Sequence, residues 1–246
     1  MRIALVVIAV CGLAVPVSAQ APGPPEPPPR VEASAQFAFL GTTGNASSNT
    51  LGAGGEAVWR PDKWVYAAKA NFAQIESEQE LTARSIAAAF RGSRTMTERL
   101  SWYGQYDFLR DVFSGVEQRH VVESGISYVA VDQPRQRLRL DSGLGYLHEQ
   151  RPDDQTFDTA TFSLGASYKF KVTETSEFTY DPRFLFSLAD ADAWRYDQTA
   201  ALAVALNSIL SLKVGHTIRY SAEPPAGFQT TDTITAVSLV ARVRRP

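Results

Sequence analysis

The chain has 246 residues, with 24 lysines and arginines against 26 aspartates and glutamates, and its single cysteine is Cys11. The nearly balanced charge gives no support for nucleic-acid binding, and one cysteine cannot build a disulfide framework. The length fits one large domain or two small ones.

The first 19 residues are predicted to be a secretory signal peptide. Arg2 precedes an apolar run, and a small-residue pattern ends at Ala19, the expected cleavage site of Sec-type export. Cleavage removes Cys11, so we expect no thiolate metal site and no cysteine nucleophile in the mature chain. Residues 20–30 hold six of the 14 prolines and predict a flexible, extended leader. The folded domain is therefore expected to span residues 31–246.

Residues 100–110, LSWYGQYDFLR, show the pattern that recurs along the rest of the chain. Trp102 and Tyr106 share one parity, and Gln105 and Asp107 share the other, which predicts a strand with one apolar and one polar face. Similar segments separated by turn residues predict twelve strands. Their predicted ranges are 31–40, 50–59, 64–74, 81–91, 98–109, 120–131, 137–148, 158–170, 177–188, 195–206, 209–220 and 231–243.

The segment 199–214, TAALAVALNSILSLKV, is apolar enough to suggest a buried or membrane helix. It is short for a membrane span and carries Asn207 and Ser208 at its centre. A hairpin that turns at these two residues fits better, because Leu202, Val204 and Leu206 then share one face.

Alternation alone fits both a soluble β-protein, whose apolar faces meet, and a membrane barrel, whose apolar face meets lipid. The barrel is favoured because the strand count is even, short links alternate with longer ones, and the apolar face carries small residues at mid-strand, such as Ala70 and Ala166. Aromatic residues of that face collect at both strand ends, as girdles do at the two membrane interfaces. They are Trp59, Trp64, Phe108, Tyr146, Phe170, Phe178, Trp194 and Tyr220. We expect an all-β, closed antiparallel transmembrane β-barrel of about 12 strands, with periplasmic N and C termini.

The opposite face of the strands is predicted to line the barrel interior. It carries both signs of charge, and the pairs Arg139–Asp141 and Asp181–Arg183 lie two residues apart on one strand. Such a lining suits either a closed network of ion pairs or a narrow wet pore. The predicted lumen-lining residues are Lys69, Arg99, Asp107, Glu123, Arg139, Asp141, Asp181, Arg183 and Arg219.

Catalytic and metal sites have little support in the sequence. His120 and His148 fall near the predicted outer rim, where they could approach serines, whereas His216 is predicted to face lipid. The acidic stretches RPDDQTFD (151–158) and ADADAWRYD (189–197) lack the spacing of a dedicated calcium loop. We therefore expect no catalytic residues, no metal site and no cofactor.

Three stretches carry a family resemblance: residues 41–60, which form a Gly-Asn loop and a Gly-rich strand, residues 98–150, and residues 212–240, with Pro-Pro and Thr-Asp-Thr elements. In order and spacing they resemble the YdiY-like family of salt-induced outer membrane proteins, a family of unknown function, over roughly residues 36–243. The resemblance implies a single-domain outer-membrane β-barrel without an established activity, and it supplies no functional residues. Such chains usually finish on an aromatic residue, whereas this one finishes VARVRRP.

The expected function is that of a non-enzymatic barrel in the outer membrane of a Gram-negative bacterium. It would be a small diffusion channel or a structural barrel, and the resemblance suggests a link to salt or osmotic stress. The alternatives are a lipid-modifying enzyme with a site at the outer rim, and a soluble periplasmic β-barrel that binds a ligand. Expected partners are outer-membrane lipids, lipopolysaccharide and the barrel-assembly machinery.

Overall fold

The computed structural model describes residues 29–42, 48–77, 80–152 and 155–245. The predicted signal peptide and residues 20–28 of the predicted leader lie outside the described residues. The strands are β1 (Val31–Thr42), β2 (Ser48–Trp59), β3 (Trp64–Ser77), β4 (Glu80–Thr95), β5 (Leu100–Asp111), β6 (Val116–Asp132), β7 (Gln136–Gln150), β8 (Thr156–Lys171), β9 (Ser176–Ser187), β10 (Trp194–Ala205), β11 (Leu210–Ser221) and β12 (Thr231–Arg245). No helix in the described part of the chain is long and apolar enough to cross a membrane.

The twelve strands form one closed barrel. Each strand is antiparallel to its neighbours in the chain, and β1 pairs with β12, which confirms the predicted all-β closed architecture. Closure is favourable because it pairs the backbone groups that the first and last strands would otherwise expose along free edges.

The two ends of the barrel differ in their connections. We call the end that carries Val31 and Arg245 the turn end; its links are 60–63, 96–99, 133–135, 172–175 and 206–209. At the opposite loop end the links include 112–115, 151–155, 188–193 and 222–230. Strands β3 and β4 run further toward this end than predicted, so the link between them has only two residues, 78–79.

Local chemistry fixes several strand boundaries. The predicted hairpin after β10 is confirmed: the side-chain Oδ1 of Asn207 accepts hydrogen bonds from the backbone N–H groups of Ile209 and Leu210, both at 2.8 Å. Strand β6 begins at Val116, four residues earlier than predicted. The reason is Gly115, whose φ of 75° ends the 3₁₀ turn Val112–Ser114 and directs the chain into the strand at once.

The alternating faces lie as predicted. On β5, Tyr103 is fully buried inside the barrel, whereas Trp102 and Tyr106 are 44% and 40% exposed on the outer surface. The same outward side carries Val122 at 59% and Leu144 at 62% exposure. A wall covered by exposed apolar side chains is expected where the surroundings are lipid.

The pairing of the wall is incomplete at two places, in addition to register shifts at Ile75/Glu76, Leu109/Asp111 and Val129/Val131. Pairing of β1 with β12 runs from Val31 opposite Arg245 to Phe37 opposite Leu239 and stops there, although both strands continue. Between β8 and β9 the ladder is interrupted at Pro182, which has no N–H to donate.

Candidate functional site

The barrel interior is the candidate site, and it is filled unevenly. On the side of β4 to β9, long side chains cross the lumen and bury Tyr103, Leu147 and Glu149 completely. On the side of β10 to β12 and β1 to β3, the inward residues are mainly small or polar, and they border open space. The lumen is therefore filled unevenly, and open space also borders the charged side chains of β4 to β9.

The centre of the filled side is a network around Glu123. The phenol of Tyr103 donates a hydrogen bond to one oxygen of Glu123, and Arg183 donates to the other at 2.7 Å. The guanidinium of Arg183 also donates to Asp107 at 2.6 Å. Because each buried carboxylate oxygen has a donor, the network satisfies the charges that it removes from water.

Arg91 extends this network toward β7. Its guanidinium lies 3.6 Å from the ring centroid of Tyr103, a cation–π contact, and donates to Asp141 at 3.0 Å and Ser127 at 2.6 Å. Arg139 donates to the second oxygen of Asp141 at 3.2 Å. The predicted pair Arg139–Asp141 therefore exists as one edge of a larger cluster.

A second cluster lies closer to the loop end and centres on Glu149. Its fully buried carboxylate accepts hydrogen bonds from Arg119, from Arg151 at 2.8 Å and from Arg195 at 3.0 Å. These four residues are not among the predicted lumen-lining residues. Arg119, Glu149 and Arg195 share the inward parity of their strands, but only Arg195 falls inside a predicted strand, and Arg151 lies in the link after β7.

A bridge crosses the lumen above the open side. Arg219 of β11 donates to Asp111 of β5 at 2.9 Å and to Ser85 of β4 at 3.3 Å. Strands β11 and β5 are six places apart in the ring of twelve, so this ion pair spans the barrel.

The link between β11 and β12, residues 222–230, lies over the same mouth, and we call it the strap. Phe228 and Pro225 of the strap pack on Gly115, on the opposite side of the ring, where an added Cβ would lie 2.7 Å from the Phe228 ring. The backbone carbonyl of Glu223 also accepts a hydrogen bond from Arg151 at 3.4 Å. The loop end is therefore narrowed by the Arg219 bridge and by the strap.

Two cavities occupy the interior, the first on the open side and the second against the charged side chains of β4 to β9. The first, about 210 Å³, is lined by small and polar residues of β1 to β4 and β10 to β12 together with Lys69, Lys213 and Arg219. The second, about 380 Å³, is lined by the rim of the central network and by Glu56, Asp181 and Asp197. Both linings include Lys69 and Thr199, so the cavities adjoin.

Most predicted lumen-lining residues lie in this interior. Lys69, Glu123, Arg139, Asp141, Asp181, Arg183 and Arg219 border the cavities, and Asp107 belongs to the central network. Arg183 bonds to Asp107 and Glu123 and not to its strand neighbour Asp181.

The prediction that Arg99 lines the lumen is wrong. Arg99 lies exposed in the turn 96–99, because the hydroxyl of Thr97 accepts hydrogen bonds from the backbone N–H groups of Arg99 and Leu100 and so delays the start of β5 to Leu100.

The predicted girdle aromatics lie on outward parity near the strand ends. At the turn end, Trp59 and Trp64 stack on Tyr66, with ring centroids 5.6 and 5.8 Å apart. Phe170 lies opposite Phe178 in the register of β8 and β9. At the loop end, Trp194 contacts Tyr220 at 4.8 Å, Phe108 contacts His120 at 5.3 Å, and Tyr146 is 53% exposed.

The histidines face outward and bond to groups other than serine. His120 Nδ1 lies 2.8 Å from the Tyr106 hydroxyl, His148 Nδ1 lies 2.7 Å from Asp158, and His216 Nδ1 lies 2.8 Å from the Thr235 hydroxyl. No group of three or more metal-ligating side chains occurs among the residues described; Asp153 and Asp154 of the first acidic stretch lie outside them.

Comparison with known proteins agrees with this architecture. The family model described as "Protein of unknown function, DUF481" matches residues 35–243. The uncharacterized protein YdiY of Escherichia coli (strain K12) is 24% identical over 202 residues, which cover 82% of this chain and 79% of YdiY, and the YdiY-like resemblance is thereby confirmed.

Solved structures similar to this chain are outer-membrane barrels. The COG4313 outer membrane channel from Pseudomonas putida F1 superposes with a TM-score of 0.54 at 8% identity, over 88% of this chain and 96% of the channel. The NanC porin superposes with a TM-score of 0.49 at 8% identity, over 88% of this chain and 99% of the porin. The first likeness shows that the fold is that of an outer-membrane barrel.

Proposed function

The chain belongs to the DUF481 family of proteins of unknown function, and we propose that it is a non-enzymatic outer-membrane channel for small solutes. The outward apolar residues, the aromatics at both ends and the outer-membrane barrel fold support this location. In the proposed orientation the turn end, with both chain termini, faces the periplasm. This orientation accords with export through a signal peptide, and the longer loops then face outside.

The observation that carries the proposal is the pair of adjoining cavities, which share Lys69 and Thr199. The first follows strands whose inward residues are small, among them Ala38, Gly52 and Gly215, and the second borders the central network. A purely structural barrel would gain stability by filling this space, as the buried cluster around Glu149 fills another part of the same lumen. Two adjoining spaces inside the wall provide a path for a solute.

The proposal is tested by conductance of the refolded mature protein in a planar bilayer. Gly215 faces the first cavity, and a Cβ there would meet only Ala201 Cβ, at 3.9 Å. Gly215→Trp should therefore place an indole in the path and lower single-channel conductance severalfold. The matched control is Val214→Trp, on the outward face at 45% exposure, which should leave conductance unchanged.

A wild-type protein that inserts but carries no current would contradict the channel and favour a structural barrel. Equal effects of the two tryptophans would also contradict the proposed path. Lipid hydrolysis or acyl transfer by the refolded protein on outer-membrane lipids would favour the enzymatic alternative; we expect neither activity.

The proposed partners are the surrounding outer-membrane lipids, lipopolysaccharide and the barrel-assembly machinery. Arg244 and Arg245 belong to β12, where they lie opposite Glu32 and Val31 of β1. The strand that the assembly machinery would meet therefore includes these two arginines. A role under salt or osmotic stress is included in the proposal on the family resemblance. Slower growth of a deletion strain in high salt, restored by the wild-type chain, would support it.

A further inference from the structure

A polar arc runs around the wall of the first cavity. The ammonium of Lys213 on β11 donates to Gln36 Oε1 on β1 at 3.4 Å, and Gln36 Nε2 donates to Asn71 Oδ1 on β3 at 3.0 Å. Lys69 lies two residues before Asn71 on the same inward face of β3. Two lysines on strands four places apart in the ring thus border one small space.

The Gly-rich strand β2 makes this arc possible. Gly54 lies between its register partners Gln36 and Asn71, and these two side chains meet above it. A Cβ at Gly54 would lie 2.7 Å from Gln36 Nε2 and 2.6 Å from Asn71 Oδ1. Only glycine therefore leaves the amide pair in place, which gives a structural reason for part of the glycine run in residues 51–55.

The charges around the first cavity are not balanced. Its lining contains Lys69, Lys213 and Arg219 but no carboxylate. Arg219 is paired with Asp111, whereas among the described residues neither lysine forms an ion pair. Glu56 is the cross-strand register partner of Lys69, but it lines the second cavity together with Asp181 and does not border the first. The surplus of positive side chains around the first cavity favours mobile anions there.

We propose that the first cavity is a binding site for a small oxyanion, a carboxylate or a phosphate, held between Lys69 and Lys213. Thr199, Thr217 and Ser238 also border the cavity. The Thr199 and Thr217 hydroxyls bond to each other at 3.1 Å, which leaves one of their hydrogens and that of Ser238 to donate to the remaining oxygens. The volume of about 210 Å³ limits the site to a small anion. Anion binding itself does not require a channel. Only one consequence, the preference of the open path for anions, rests on the proposed channel function.

Binding is tested without any requirement for conduction. The protein refolded in detergent is titrated separately with inorganic phosphate and with acetate by calorimetry. The double variant Lys69→Gln/Lys213→Gln should weaken saturable binding by about tenfold or more, the loss expected when charge-assisted hydrogen bonds are removed. The control Lys63→Gln/Lys171→Gln removes equal charge from exposed positions at the turn end and should leave binding unchanged.

Saturation by both probes would define the site as one for oxyanions in general, and saturation by one probe alone would assign it to that class; either result supports the proposal. Absence of saturable binding in the wild-type protein, or equal losses in the two double variants, would overturn it. Because this readout needs no open path, a protein that binds anions but carries no current would refute only the channel.

The second measurement is the reversal potential under a potassium chloride gradient. The wild-type channel should prefer chloride, phosphate should reduce its current, and Lys69→Gln/Lys213→Gln should shift the reversal potential toward cations and abolish the phosphate effect. A conducting wild-type channel that prefers cations, or that keeps its selectivity in the variant, would overturn the anion site while leaving the channel intact.

Discussion

Gly143 illustrates how a single residue keeps the central network in place. An inward glycine can leave free space in a lumen, but Gly143 leaves none. The space is filled, because an added Cβ would lie 2.6 Å from the Tyr103 hydroxyl and 2.9 Å from Glu123. The absence of a side chain on β7 is therefore a condition for the bond between two other strands.

We predict that Gly143→Ala destabilises the barrel by about 1–3 kcal/mol, the usual range for an added group in a filled interior. The matched control is Gly165→Ala, also inward, where the nearest atom is 3.6 Å away and the change should stay within about 0.5 kcal/mol. Denaturant unfolding of the refolded protein measures both. Equal stability of the two variants would show that Tyr103 and Glu123 can move apart at no cost.

Glu149 provides a test of the second cluster. Glu149→Gln removes the negative charge that three arginines share and should destabilise the barrel by about 3–5 kcal/mol, since these cations stay buried without their partner. The control Asp132→Asn breaks an ion pair with Arg137 whose side chains are 60% and 56% exposed, and should cost about 0–1 kcal/mol. Similar unfolding midpoints for the two variants would mean that water reaches Glu149.

At the scale of elements, the strap lies where it can control the mouth at the loop end. Phe228→Ser removes the ring that packs on Gly115 and should loosen the strap while leaving the strands intact. We expect higher or more frequently open single-channel currents at nearly unchanged thermal stability. Gln229→Ala, an exposed neighbour in the same strap, is the control and should behave as wild type. Unchanged currents in Phe228→Ser would show that the strap does not limit the path.

The strands themselves allow a direct test of their lipid surroundings. Leu144 at the middle of β7 and Leu188 in the link after β9 are equally exposed, at 62% and 60%. In a bilayer, Leu144→Arg should destabilise the barrel by about 2–4 kcal/mol, because the charge enters hydrocarbon. Leu188→Arg should stay within about 0.5 kcal/mol. Unfolding in lipid vesicles measures the difference, and equal values would indicate that water surrounds β7.

For the whole molecule, the sequence predicted the strands and their faces far better than the partners of the inward charges. Period-two alternation depends only on which side of the wall a residue faces, so it placed Arg183 inside. It could not pair Arg183 with Asp107 and Glu123, because those bonds depend on the curvature of the closed wall and on how far arginine reaches across it. The prediction for Arg99 was wrong for a local reason, because the Thr97 hydroxyl accepts backbone hydrogen bonds that keep Arg99 in a turn.

The short pairing between β1 and β12 has a consequence for how the chain closes. These strands lie at opposite ends of the folded domain, so their contact closes the longest loop and is expected to form last in folding. The ladder between β1 and β12 stops at Phe37 and Leu239, so forming it yields less stabilisation than forming a full-length ladder. Separation of β1 from β12 is therefore the easiest local opening of the wall. Amide hydrogen exchange should therefore be faster along β1 and β12 than along β6 and β7, and the opposite order would show that the barrel first opens elsewhere.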